Sequence, residues 1–361
     1  MSKVHDEHLA RKCPERVRTV QIDYDEEVTQ RAVQHIFDMA RAADDRPFFL
    51  QVSYTHPHEP YLCRQEFWDL YDEVEIPLPR TSPLSEDAHD PHSLRLLRDF
   101  GMLDADFTDA EIRRAIRAYY GSVSYIDSLV AQVLDALRAT GADQNTAIVF
   151  TSDHGEMLGE RGMWFKKHFF ENALRVPMIL HAPWITPQRV AEHVSLVDLL
   201  PTFAGLAGAP EPIEPLDGID ICSLLDRGNP EPERATYAEY LAEATPVPMF
   251  MIRRGRFKFI TSSQDGDLLY DLEADPQERQ NLAASPEHAE TLLAFRTEAA
   301  RHWDESSLTA AITLSQKRRR LVRDAMAEGA PMRWNHDEGG DDPVKWYRGK
   351  EGYNTWAFRH I

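Results

Sequence analysis

The sequence predicts an α/β fold: a doubly wound, mostly parallel sheet, then a small C-terminal antiparallel α+β subdomain and an extended tail. Three observations carry that prediction. Short apolar runs at 46–54, 146–150 and 176–183 are interspersed with stretches of helical period. A proline-rich segment, Ala209 to Pro215, then breaks the pattern. Beyond it, β-like runs at 236–240, 248–252, 257–261 and 268–272 recur at about ten-residue spacing, as in an antiparallel sheet.

The elements follow in order. Residues 23–43 carry Val28, Ala32, Val33, Ile36, Phe37 and Ala40 at helical spacing, which predicts an amphipathic helix. The run Arg46 to Tyr54 is continuous enough for a central strand, and it leads into His56-Pro57-His58-Glu59-Pro60, a loop stiffened by two prolines. Residues 76–108 are rich in proline, aspartate and serine and predict a long surface excursion. Thr108-Asp109-Ala110-Glu111 is a helix start, and the helix should stop at Gly141. Strands are expected at 146–150 and 176–183, then a helix at 195–204 kinked at Pro201. A helix from Pro286 to Trp303 should cover the antiparallel sheet. The predicted domains are 1–210, 211–303 and 304–361, the last opening on a basic helix around Lys317 to Arg320 and ending in an aromatic tail.

Composition narrows the function. With 42% hydrophobic and 28% charged residues the chain can bury a sizeable core. Its formal net charge of −20 argues against a nucleic-acid partner, which needs a basic face. No run approaches the roughly 18 apolar residues of a membrane span, and the N-terminus lacks the apolar centre of a signal peptide. The three cysteines, Cys13, Cys63 and Cys222, form no CxxC pair, so a reducing, cytoplasmic setting is the default expectation.

Several residue groups could carry chemistry. Asp153 and His154 follow the 146–150 strand, where ligands gather in open α/β sheets. A carboxylate and an imidazole can share a divalent cation, although an N-cap aspartate beside a surface histidine would read the same way. Lys166 and Lys167 follow the apolar Met163-Trp164-Phe165 run and suit an anion, or are an ordinary solvated pair. His56 and His58, on the proline loop, can donate a proton to a leaving group or simply stack on the prolines. Glu239 and Glu243 lie near Tyr237 and Tyr240, a grouping that can hold a quaternary ammonium or be an exposed sheet face.

The order of these signals is specific. Phe48 to Pro60, Tyr119 to Asp127, Phe150 to Gly162, Arg175 to Met178, Leu269 to Leu272 and Asp275-Pro276 together resemble the sulfatase family of the alkaline-phosphatase-like fold. The tail around Ser315 to Val322 is similar to the extension of the choline-sulfatase branch. The resemblance implies hydrolysis of a sulfate monoester, choline sulfate above others. It implies one divalent cation, calcium first and manganese or magnesium next, with Asp153 and His154 as two of its ligands. It implies Lys166 as a sulfate contact, His58 (and secondarily His56) as the histidine at the leaving oxygen, and a homo-oligomer built through the C-terminal tail. The family nucleophile is a formylglycine made from Cys-x-Pro-x-Arg, and no such string occurs here; Cys13-Pro14-Glu15-Arg16 places its proline one position early. The expectation is therefore an N-terminally truncated sulfatase, lacking its nucleophile and first strands, inactive alone, and either poorly soluble or dependent on a partner. Two other readings stand beside it. One is a phosphonate or phosphate monoester hydrolase of the same superfamily, and the other a non-catalytic ligand-binding or oligomer-completing subunit.

Overall fold

The computed structural model describes residues 19–42, 44, 46–210, 213–225 and 234–329. Cys13 and the aromatic tail from Trp334 to Phe358 lie outside them. The helices are α1 (Val20–Arg41), α2 (Gln65–Asp69), α3 (Pro91–Asp99), α4 (Asp109–Thr140), α5 (Glu171–Leu174), α6 (Leu199–Leu206), α7 (Ala289–His302) and α8 (Glu305–Ala327). The strands are β1 (Ile148–Thr151), β2 (Met178–His181), β3 (Thr236–Tyr240), β4 (Met249–Arg254), β5 (Phe257–Ser262) and β6 (Gly266–Asp271). No helix among the described residues is long and apolar enough to cross a membrane. The chain falls into two compact units.

The first unit takes the chain up to Pro79, Phe100–Thr146 and the part from Ser315 on. The stripe of α1 meets α4, burying Ile22, Tyr125, Ile126 and Leu129 beside Tyr54, Phe67 and Val130. The α4 helix begins as its sequence predicts, with a reciprocal capping box between Thr108 and Glu111, and it ends on Gly141 at φ +74°. Gly121 of α4 sits against Cys63; a Cβ there would stand 2.6 Å from the thiol sulfur. Cys63 is buried, and burial pushes its thiol up to about 12.

The 46–54 run was expected as a central strand, but it joins no ladder among the described residues. Phe48 and Phe49 are 43% and 70% exposed. Apolar, β-favouring side chains give a strand only where a neighbour takes up its backbone donors and acceptors, and composition cannot supply that neighbour.

The second unit takes Arg80–Asp99 and Ala147–Leu314. Here β1 and β2 pair antiparallel, Ile148 opposite His181 and Thr151 opposite Met178. The mostly parallel sheet expected from the sequence is thus not what the described strands form: both sheets are antiparallel. The second, β3-β4-β5-β6, is the predicted meander. Its inner face and α7 bury Ile252, Phe259, Leu269, Leu292, Phe295 and Ala299. The expected kinked helix arrives as a 3-10 turn, Leu196–Asp198, and then α6. Pro201 lies in the first turn of α6, where a missing N–H breaks no helical bond. None of the α8 residues is buried.

The 76–108 stretch is not all surface. Pro91 opens α3, with Asp90 before it as cap: its Oδ1 accepts the Ser93 N–H at 3.0 Å. His92, Ser93, Leu96 and Leu97 are buried.

Candidate active site

The turn after β1 is built by short backbone and side-chain bonds. The Thr151 hydroxyl donates to the Pro177 carbonyl at 2.8 Å, and the Ser152 hydroxyl to the His154 carbonyl at 3.0 Å. Asp153 Oδ1 accepts the His154 N–H at 2.9 Å. His154 Nδ1 is 2.8 Å from the Gly155 carbonyl oxygen, which can only accept, so Nδ1 carries a proton and points away from Asp153. Its Nε2 lies 3.5 Å from Asp153 Oδ2. A carboxylate oxygen and an imidazole nitrogen thus stand side by side, at a spacing two ligands of one cation can adopt. Among the described residues no group of three or more His, Cys, Asp or Glu side chains could hold a metal ion, so this turn offers two donors.

Gly155 is required by close approach. Its N–H donates to the Ala173 carbonyl at 2.8 Å, and a Cβ would stand 2.0 Å from the Asn172 carbonyl oxygen. Glu156 follows, is buried, and turns its carboxylate back across the loop, where Oε1 accepts the Leu158 N–H at 3.2 Å and the Phe165 N–H.

The loop from Glu156 to Lys167 is strained. Leu158, Arg161, Phe165 and Lys167 hold φ of +48°, +60°, +71° and +79°. Each such residue costs on the order of 1 kcal/mol or more unless its surroundings impose it. Here they do. Met157 N–H donates to the Phe165 carbonyl at 2.7 Å, and Arg161 N–H to the Thr81 carbonyl at 2.8 Å. The Arg161 guanidinium lies 4.3 Å from the centre of the Phe170 ring. Met163, Trp164 and Phe165 are buried beneath. Lys166 therefore sits half-buried between two left-handed residues.

The far side of the loop is fixed to β5. Lys258, fully buried, donates to the Phe169 carbonyl at 2.7 Å and pairs with Glu171 at 2.6 Å and Glu278 at 2.8 Å. It is also met by the start of α3. His92 Nε2 is 2.8 Å from the Lys167 carbonyl, and Ser93 Oγ is 2.9 Å from His168 Nε2. The His168 ring stacks on Phe170 at 3.9 Å. Burial disfavours charge on Asp90, but His168 and the bonds from His168 and Ser93 outweigh it and hold that carboxyl well below its ordinary range.

The two glutamates part company. Glu239 accepts the Trp303 indole N–H at 2.7 Å. Tyr237, on the same strand face, donates to Glu298 at 2.7 Å and stacks on His302. Tyr240 belongs to the opposite face and meets His92 at 5.2 Å and Phe169 at 6.4 Å between ring centres. Its hydroxyl donates to the Glu243 carbonyl at 3.0 Å, and Glu243 pairs with Lys167 at 3.4 Å. A bond from its own backbone N–H, and then Lys167, hold the Glu243 carboxyl below its ordinary value against modest burial. So Lys167, Glu243 and Tyr240 come together, and Glu239 goes elsewhere.

His56 and His58 lie in the first unit. His56 is buried, its Nδ1 2.6 Å from Asp25 Oδ2 and its ring edge-on to Tyr125 at 5.2 Å. The same carboxylate accepts the Thr55 N–H at 2.7 Å and the His56 N–H at 3.0 Å. His58 is more open, with Nδ1 2.8 Å from the Glu59 carbonyl and 3.0 Å from its carboxylate.

Comparison with known proteins decides the family. The sulfatase family model matches residues 8–209. The chain belongs to the sulfatase family. The C-terminal model of N-sulphoglucosamine sulphohydrolase matches residues 159–303 of this sulfatase-family chain. It is 40% identical to the choline-sulfatase of Rhizobium meliloti (strain 1021) over 88% of its own length and 63% of that protein's. It is 29% identical to an arylsulfatase of Clostridium perfringens (strain 13 / Type A) over 73% of its length and 55% of the relative's. The chain thus spans less than two thirds of these curated relatives. In structure it is similar to the phosphonate monoester hydrolase of Agrobacterium radiobacter, with a TM-score of 0.67 at 24% identity over 83% of this chain and 66% of that one. A putative sulfatase of Bacteroides thetaiotaomicron VPI-5482 gives 0.65 at 23% over 80% and 65%. These neighbours show that the sulfatase-family chain has the alkaline-phosphatase-like α/β fold.

Four residues that lie beside the candidate residues of their own unit escaped the sequence reading: Asp25 in the first unit, and His92, Glu156 and His168 in the second. Asp25 had a signal, since it sits on the buried stripe of α1 with Ile22, Thr29, Ala32 and Ile36, where a lone carboxylate must find donors. His92 had a weaker one, the Asp-Pro helix start before it.

Proposed function

We propose that this chain carries the cation-binding and sulfate-binding parts of a sulfatase site whose substrate is a sulfate monoester, choline sulfate first. The observation that carries the proposal is the reach of Glu156. It follows the Asp153-His154-Gly155 turn directly, and its carboxylate takes up the N–H of Phe165, the neighbour of Lys166. One buried side chain thereby ties a two-donor cation turn to a lysine held in strained backbone.

The roles follow from charge and geometry. The superfamily generally binds a divalent metal, and the Asp153 carboxylate and His154 Nε2 are donors that could hold one; calcium is put first on the family resemblance, not on the imidazole, which suits softer ions. Such an ion would supply positive charge beside the sulfate oxygens. Lys166 adds a point charge on the same group. Glu243 offers the negative charge, and Tyr240 the aromatic face, that attract a quaternary ammonium. His58, on its sequence match alone, is the proton donor to the leaving alcohol, with His56 anchoring its loop. No Cys-x-Pro-x-Arg string occurs in these 361 residues, so the nucleophile is assigned to none of them. Assembly through the C-terminal extension is part of the same proposal and rests on sequence match. The phosphonate monoester hydrolase neighbours share the fold, and a fold alone does not choose between sulfate and phosphonate.

Calorimetry with inorganic sulfate and with choline sulfate, in millimolar calcium, tests the proposal. Lys166→Ala should weaken both ligands about tenfold, the worth of one charge-assisted contact. Glu243→Gln should weaken choline sulfate and leave inorganic sulfate unchanged. Unaltered affinities in Lys166→Ala would sink the sulfate assignment.

A further inference from the structure

We infer that His92 is a positioning residue for the anion-binding lysine, acting through the backbone of Lys167. This rests on the assignment of Lys166 as a sulfate contact. His92 Nε2 lies 2.8 Å from the Lys167 carbonyl oxygen. A carbonyl only accepts, so Nε2 bears the proton and donates. His92 is 1% exposed, and burial, then the neighbouring His168, lower its pKa to about 4 against the opposing pull of the Lys167 and Ala244 carbonyls, so the ring is neutral.

The target of the bond matters. Lys167 is left-handed at φ +79°, and Phe165 is left-handed at +71°, so Lys166 is held from both ends by backbone that relaxes if released. Glu156 holds the Phe165 end. His92 holds the other. One turn along α3, the Arg95 Nε donates to the Ala244 carbonyl at 2.6 Å. Ala244 is itself left-handed at φ +59° and follows Glu243. Arg95 is braced by a two-pronged pair with Asp265, at 2.8 and 2.5 Å. The α3 helix therefore holds two strained carbonyls from one face, one beside Lys166 and one beside Glu243. It sets the distance between the positive and negative ends of the site, and His92 is its contact with the positive end.

A pair of nearly isosteric amides separates this role from packing. The Gln side-chain N–H₂ reaches the place of Nε2, and that of Asn reaches only the place of Nδ1. Inorganic sulfate affinity is measured by calorimetry for the wild-type chain, Lys166→Ala, His92→Gln and His92→Asn, each well below its melting temperature. His92→Gln should stay within about threefold of wild type and His92→Asn should fall about tenfold. Equal affinities in the two amide variants, whether both intact or both weak, overturn the inference. If Lys166→Ala binds sulfate as wild type does, the sulfate assignment fails first and takes this inference with it. If His92→Asn does not fold, His92→Leu replaces it with the same expected loss.

Discussion

His92 also makes the protein's stability depend on pH. Its folded pKa is about 4 against an ordinary 6.5. Between those values the unfolded chain binds a proton that the folded chain refuses, so stability rises with pH across this window and falls on acidification from about 6.5. Fully expressed, the shift is worth roughly 3 kcal/mol. His168, Asp90 and Tyr240 face the ring, and the charge on Asp90 moderates the effect. His89 and His193, also lowered by burial, add to it with the same sign. Denaturant melts at pH 7 and pH 5 should therefore show a loss on acidification, smaller in His92→Gln. A variant that loses as much as wild type would place the proton elsewhere. Of this residue only the Asp-Pro helix start was legible beforehand, because a histidine two positions after a helix cap looks the same whether solvent or a strained carbonyl waits beyond it.

Among the elements, legibility tracked how local the determining forces are. The α4 boundaries could be read because a capping box and a left-handed glycine settle them within four residues. The meander was legible for the same reason, its turns being short. The separation of Glu239 from Glu243 was hidden by proximity in sequence, since strand periodicity turns Glu239 and Tyr240 to opposite faces. The 46–54 run failed as a strand because its partner is a question of the whole sheet. The antiparallel sheet and α7 form a self-contained core, and Phe295 is central to it, 5.7 Å from the Phe259 ring. Phe295→Ala should cost about 3 to 5 kcal/mol in urea unfolding, through lost burial and the cavity left behind. A cost under about 1 kcal/mol would mean that α7 does not depend on that ring.

For the molecule as a whole, the sulfatase family is established. The cation turn and the lysine loop are both in one compact unit, so their behaviour can be tested together. Two protein donors should hold calcium only weakly. Millimolar, not micromolar, calcium should raise the melting temperature, by RT ln(1 + [L]/Kd) in free energy. Asp153→Ala should abolish that rise. A rise that survives the substitution would put the ion on other residues. The net charge of −20 works in the same direction, since it draws cations toward the surface and repels free sulfate. A sulfate ester with a cationic alcohol carries its own compensation against that field.

Glu156 has a thermodynamic corollary. One carboxylate braces the lysine loop from a position next to the cation turn, so order gained on one side is order the other no longer has to supply. If both ligands bind as proposed, whatever factor calcium lends to sulfate affinity, sulfate must return to calcium, because the two routes to the doubly liganded state share both ends. Glu156→Gln would loosen the brace while keeping its shape, and the two factors should shrink together toward one. The side chain that makes the loop rigid would then also make the two ligands mutual effectors.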